Sequence, residues 1–112
     1  MIFCNVHFIS IRILSPFRLG EDFLLGNVGF LCSDKFFPIV RNIDDCRRSF
    51  LEIKRKYPDA KNKVKPAELG HDNHPGGCFF NIQRKSLYWN PNLNNGKANQ
   101  DDRQVCKANG KS

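Results

Sequence analysis

Between residues 44 and 57 the apolar side chains recur at helical spacing. Cys46, Phe50, Ile53 and Tyr57 stand at i, i+4, i+7 and i+11, which is one continuous face of an α-helix. The flanks agree. Asp44 and Asp45 open the segment, where a carboxylate can cap free N–H groups and meets the positive end of the helix dipole. Lys54, Arg55 and Lys56 close it with the opposite sign, and Pro58 ends it by biasing Tyr57 away from helical geometry. The pattern predicts a helix over 44–57.

Further along, the period changes. Residues 78–82 (CFFNI) and 86–90 (SLYWN) are aromatic-rich, strand-like runs, and Gln83-Arg84-Lys85 between them makes a hairpin turn. Residues 58–77 are a polar connection punctuated by Pro58, Pro66, Pro75, Gly70, Gly76 and Gly77. Residues 91–102 are a loop dense in Asn, Gly and Asp, after which 103–106 return as a short third strand. A two-stranded hairpin alone is marginal, so the helix must pack on it. Residues 1–19 are apolar and β-branched, and 20–40 are punctuated by glycine without a clear period. The expected organisation is an N-terminal apolar segment over 1–30 that lies outside the core, a mini-domain over 31–107 and a tail over 108–112. Its fold class is α+β: one amphipathic helix packed on a small antiparallel sheet, a hairpin plus a short C-terminal strand.

Composition explains why such a domain needs help. The chain has 112 residues and 40% apolar side chains, many of them before residue 41. A domain this small buries a modest fraction of its surface, and cross-links are the usual supplement. Five cysteines are present, an odd number, so at least one lacks an intrachain partner. Four of them, Cys32, Cys46, Cys78 and Cys106, frame the predicted elements and allow 3 pairings. The order of elements favours Cys46 with Cys78, helix start to strand start, and Cys32 with Cys106, chain end to chain end; Cys4 is left unpaired. By the loop-entropy relation the Cys46–Cys78 bond contributes roughly 3–4 kcal/mol. No run approaches the roughly 18 apolar residues that a membrane span needs.

The ordered set Cys32, Ile43, Cys46, Leu69-Gly70, Pro75, Gly77-Cys78-Phe79, Leu87-Tyr88-Trp89-Asn90 and Cys106-Lys107 resembles a small four-cysteine module. That module occurs, often in tandem, in predicted extracellular proteins of algae and marine protists. The resemblance covers about residues 31–107. It departs in its Arg/Lys/Phe-rich helix, in an Ile43 one residue closer to Cys46, and in a Leu69-Gly70 further from Cys46. It implies an extracellular or cell-surface location and carries no established activity. Residues 1–30 hold no convincing secretion signal: the first basic residue, Arg12, lies inside the apolar run, and no small-residue cleavage site follows.

Charge and candidate chemistry narrow the function only coarsely. The formal net charge is +7, with +1 on residues 1–41 and +6 on residues 42–112. A basic surface suits an anionic or glycan partner; a solvated basic face is the simpler reading. His71, Asp72, His74 and Cys78 have metal-ligand chemistry, but Pro75 and two glycines follow, which reads as a turn. Metal and cofactor are therefore not expected. Cys, His and Asp occur without an oxyanion-type or phosphate-binding loop, so an enzyme is not expected. Phe79-Phe80 and Tyr88-Trp89 beside Arg84 and Lys85 are stacking aromatics next to cations, or else Phe80, Ile82, Leu87 and Trp89 are simply core. The expected role is a non-enzymatic extracellular or surface module for interaction or structure. The alternative is a basic nucleic-acid-binding domain that contacts phosphate through residues 47–65.

Overall fold

Asn42 starts the long helix. In a computed structural model of the protein, which describes residues 17–19, 22–35, 37–66, 70, 72–93 and 96–108, helix α1 runs Ile43–Lys56. Asn42 is extended, and its side chain accepts a hydrogen bond from the Asp45 N–H at 2.8 Å. The cap is thus an asparagine, and the two aspartates sit in the first turn, where their charge still suits the dipole. Cys46 and Ile53 are buried, and Phe50 and Tyr57 pack half-buried beside them. Ser49 is the unexpected member of this face; its hydroxyl donates back to the Cys46 carbonyl at 2.7 Å, which satisfies it in a buried place.

Six strands follow in chain order: β1 Phe17–Arg18, β2 Phe23–Leu25, β3 Lys61–Asn62, β4 Gly77–Asn81, β5 Ser86–Asn90 and β6 Asp102–Lys107. They form one sheet in the order β1-β2-β6-β4-β5-β3. All pairs are antiparallel except β3 with β5, which is parallel. The predicted hairpin is β4–β5, with Phe80 opposite Leu87, Phe79 opposite Tyr88 and Cys78 opposite Trp89. Ile82 belongs to its turn rather than to β4. The third strand is longer than 103–106 and lies centrally between β2 and β4, because its two edges are both occupied. The α+β class with disulfide stabilisation stands; the sheet is larger than a hairpin plus one strand.

The extra strands correct the domain boundary. Residues 1–30 were expected outside the core, yet Leu19, Phe23, Leu24 and Leu25 are buried in it. β2 pairs along β6, with Leu24 opposite Cys106 and Leu25 opposite Val105. The physical reason is that β2 is covered on both faces, so it reads as an apolar run without alternation. Residues 1–16, with Cys4, lie outside the described residues, as do 109–112 of the tail. Ala108 is not free tail: its N–H donates to Asp22 at 2.9 Å.

Alternation on the strands sorts the core into two layers. On one face Leu25, Val105, Cys78, Phe80 and Leu87 meet Cys46 and Ile53 of α1. On the other, Leu24 and Cys106 meet Cys32, Phe37 and Ile39. Each layer is stapled to the sheet by one disulfide. Cys46–Cys78 joins the first turn of α1 to β4, and Cys32–Cys106 joins the short 3-10 helix Cys32–Lys35 to β6. Buried Gln104 ties the second layer further. Its side-chain oxygen accepts from Cys32 N–H at 2.6 Å, and its amide donates to the Gly76 carbonyl at 2.8 Å. Gly77 follows at φ 75°, and a Cβ there would stand 2.6 Å from the Val40 carbonyl oxygen, so only glycine fits this close approach. Among the described residues no helix is long and apolar enough to cross a membrane.

Candidate functional site

The second layer covers β2 and β6 but stops short of β5. The side chains of β4 and β5 that point away from α1 form a second face, buried at Phe79 and partly exposed at Tyr88. Phe79 and Tyr88 are cross-strand partners, and their rings stack at 5.5 Å between centroids. His74, from the loop leading into β4, also stacks on Phe79, at 5.0 Å between centroids and with its ring only 10° from parallel. The three rings form one cluster in which π faces meet offset neighbours: Phe79 is its buried centre, and His74 and Tyr88 stay partly exposed.

The imidazole is held from behind. Asp102, at the start of β6, is fully buried and accepts from His74 Nδ1 at 2.5 Å and from Asn81 Nδ2 at 2.8 Å. Asn81 in turn uses its oxygen to accept the Arg84 N–H at 2.9 Å. A buried carboxylate is tolerable only when its oxygens are bonded, and here each has a donor. The loop carrying His74 is pinned as well: Asn90 Nδ2 donates to the carbonyls of His74 and Pro75 at 3.2 and 3.0 Å. Among the described residues no buried side-chain polar atom lacks a partner.

His74, Phe79, Asn81, Arg84, Tyr88 and Trp89 enclose a half-open cleft of about 130 Å³. That is well below the roughly 300–1,000 Å³ of drug-sized sites and suits one ring. A second groove of about 340 Å³ is lined by Asn62, Lys63, Val64, Lys65 and Tyr88. Tyr88 belongs to both. The cleft shows no serine, threonine or cysteine among the described residues.

Several of the sequence candidates converge here and others do not. Phe79, Tyr88, Trp89 and Arg84 share the cleft, whereas Phe80 is fully buried on the opposite face. Trp89 has both roles, half-buried against the core and lining the cleft. Lys85 is drawn away: its ammonium bonds Asp59 at 2.8 Å. That hydrogen bond holds the Asp59 carboxyl below its ordinary range and pushes Lys85 up. Of the four metal-type residues, Cys78 is in a disulfide, His74 bonds Asp102, Asp72 accepts from Asn92 at 2.9 Å, and His71 lies outside the described residues. The basic stretch 47–65 splits. Arg47, Arg48 and Arg55 on α1 pair with Asp44, Asp45 and Glu52 one turn back, and Lys54 donates to the Pro58 and Ala60 carbonyls. Lys61, Lys63 and Lys65 have no ion pair among the described residues. Sequence reasoning missed Asp102 and Asn81; an acid at the mouth of a strand carries no signal of burial until the strand is placed.

Comparison with known proteins finds no matching family model, no matching curated protein and no matching solved structure.

Proposed function

We propose that the chain is a non-enzymatic extracellular or cell-surface interaction module whose binding face is the open side of β4 and β5, and that the cleft takes one ring of a saccharide. The observation that carries this reading is the His74–Phe79–Tyr88 platform, fixed by a fully buried Asp102. A sugar ring has an apolar C–H face and a polar rim. The former meets the aromatic faces, and the latter meets Arg84, the Tyr88 hydroxyl and the imidazole. The aromatic surface left accessible is that of His74 and Tyr88, which stay partly exposed beside the buried Phe79. The two disulfides support an oxidising compartment, as does the resemblance to the four-cysteine repeats of extracellular algal proteins. The local pairing of the α1 arginines weighs against a phosphate-binding helix.

The test is a titration of the oxidised, ¹⁵N-labelled protein with neutral mono- and disaccharides, followed by amide and aromatic chemical shifts. Shifts centred on His74, Phe79, Tyr88 and Trp89 are expected. Shifts elsewhere, or none with any sugar, overturn the reading. Thiol counting on protein secreted by a eukaryotic host tests the compartment: Cys32, Cys46, Cys78 and Cys106 must all be oxidised.

A further inference from the structure

Tyr88 lines both cavities, and that shared wall says more about the ligand. Lys63 is placed by the sheet: its N–H donates to the Leu87 carbonyl at 2.9 Å, continuing the β3–β5 ladder. The Asn62 side chain then accepts the Val64 N–H at 3.0 Å. That is a local turn of the kind asparagine favours, and it keeps Lys63, Val64 and Lys65 wrapped around the groove beside Tyr88. Both lysines are exposed and neither has a carboxylate partner among the described residues. Arg84, which also lines the cleft, has none among the described residues either. The nearby cations that do have partners are those outside the site: Lys85 with Asp59, and Arg55 with Glu52. Among the described residues, the charge of Lys63, Lys65 and Arg84 is thus not neutralised by a carboxylate.

We propose that the ligand is an anionic glycan bound across two adjoining subsites. One sugar ring stacks in the His74–Phe79–Tyr88 cleft, and a sulfate or carboxylate on the neighbouring sugar is held by Lys63 and Lys65. The inference rests on the saccharide reading of the cleft and adds the charge and direction of the chain. Single-stranded nucleic acid shares stacking and negative charge, but it is recognised through a tracked run of phosphates along a basic groove. Here one small ring site is flanked by only a few unpaired cations, and the disulfides point outside the cell.

The experiment compares three probes by isothermal titration at low and moderate salt: a heparin-derived hexasaccharide, its fully desulfated, N-acetylated and carboxyl-reduced counterpart, which is neutral, and an oligothymidylate. Each is run on the native chain and on Lys63→Gln/Lys65→Gln, which alters only exposed side chains and leaves the fold intact. The expected result is that the double variant weakens the sulfated probe about tenfold, the sum of two exposed charge contacts. The same variant leaves the desulfated probe unchanged, and salt weakens the sulfated probe alone. Equal affinity of native and variant chains for the sulfated probe overturns the second subsite while the saccharide cleft stands. Failure of both glycan probes, with no shift at Phe79 or Tyr88, overturns the cleft itself. Tighter, lysine-dependent binding of oligothymidylate than of the sulfated glycan overturns the glycan in favour of nucleic acid.

Discussion

Asp102 is where stability and the open face meet, and its substitution separates the two. Asp102→Ala deletes an acceptor shared by His74 and Asn81. The Asn81 amide is buried and has no water to turn to; an orphaned donor of this kind costs about 1–3 kcal/mol. The His74 side chain keeps 35% exposure and can rehydrate, so only the net value of a bond to a charged group is lost there, about 1.5–3 kcal/mol. A total near 3–4 kcal/mol is expected, a shift in Tm of roughly 15 °C for a domain of this size. Asp102→Asn behaves differently. Its shape fits, but whichever way the carboxamide turns, its NH₂ meets one of the two former donors. Asn81 cannot adapt, because its oxygen is already engaged by the Arg84 N–H. His74 can, by moving its ring proton from Nδ1 to Nε2. The variant should therefore lose only about 1–2 kcal/mol, and its imidazole should show the opposite tautomer. Urea unfolding under non-reducing conditions gives the first quantity, with m unchanged; the ring ¹⁵N spectrum gives the second. Asp102→Ala within about 0.5 kcal/mol of the native chain would refute the reasoning, as would an unchanged tautomer in a fully stable Asp102→Asn.

Four further outcomes test other parts of the structure. Replacing Cys46 and Cys78 together by Ala opens a bond across 32 residues and should cost about 3–4 kcal/mol by urea unfolding; a loss under about 1 kcal/mol would mean that α1 is held by packing alone. Phe23→Ala should cost about 3–5 kcal/mol, measured by thermal unfolding, because its ring is buried under Arg48 and Lys107; no loss would return the domain boundary to residue 31. Trp89→Ala should cost about 2–3 kcal/mol, less than a fully buried Trp, and should also weaken saccharide binding; an unchanged melting curve would make Trp89 a binding residue alone. The lowered Asp59 carboxyl contributes stability that is present above the ordinary carboxylate range and lost as pH falls through its folded-state value; an NMR titration of Asp59 should show its midpoint rise in Lys85→Met, and an unmoved midpoint would dissolve the pair.

The helix, the β4–β5 hairpin and the framework of four cysteines were legible in the sequence because each is written in local spacing. The Cys46–Phe50–Ile53–Tyr57 face needs nothing but a 3.6-residue period. The hairpin needs two short aromatic runs and a turn. β1 and β2 were not legible for the opposite reason. A strand of three residues buried on both faces, Phe23–Leu25, has no polar positions to mark its period, and its partner β6 lies some 80 residues away. The parallel pairing of Lys61–Asn62 with β5 was hidden as well, since two exposed polar residues carry no strand signal.

The same distinction between local and long-range order decides how the charge can be read. The α1 arginines have their carboxylates one turn earlier, at i−3, so their neutralisation is already contained in the helix prediction. Lys85 is different: its partner Asp59 is 26 residues away and reaches it only because β3 lies along β5. That pairing removes one cation from the hairpin turn and, by the same ladder, brings Lys63 and Lys65 beside Tyr88. A count of basic residues over 47–65 treats all of these as equivalent. The fold divides them into a helix face that carries its own counter-charges and a strand edge that has none among the described residues. That edge meets the aromatic cleft at Tyr88, which is why the two-subsite proposal places its anion there.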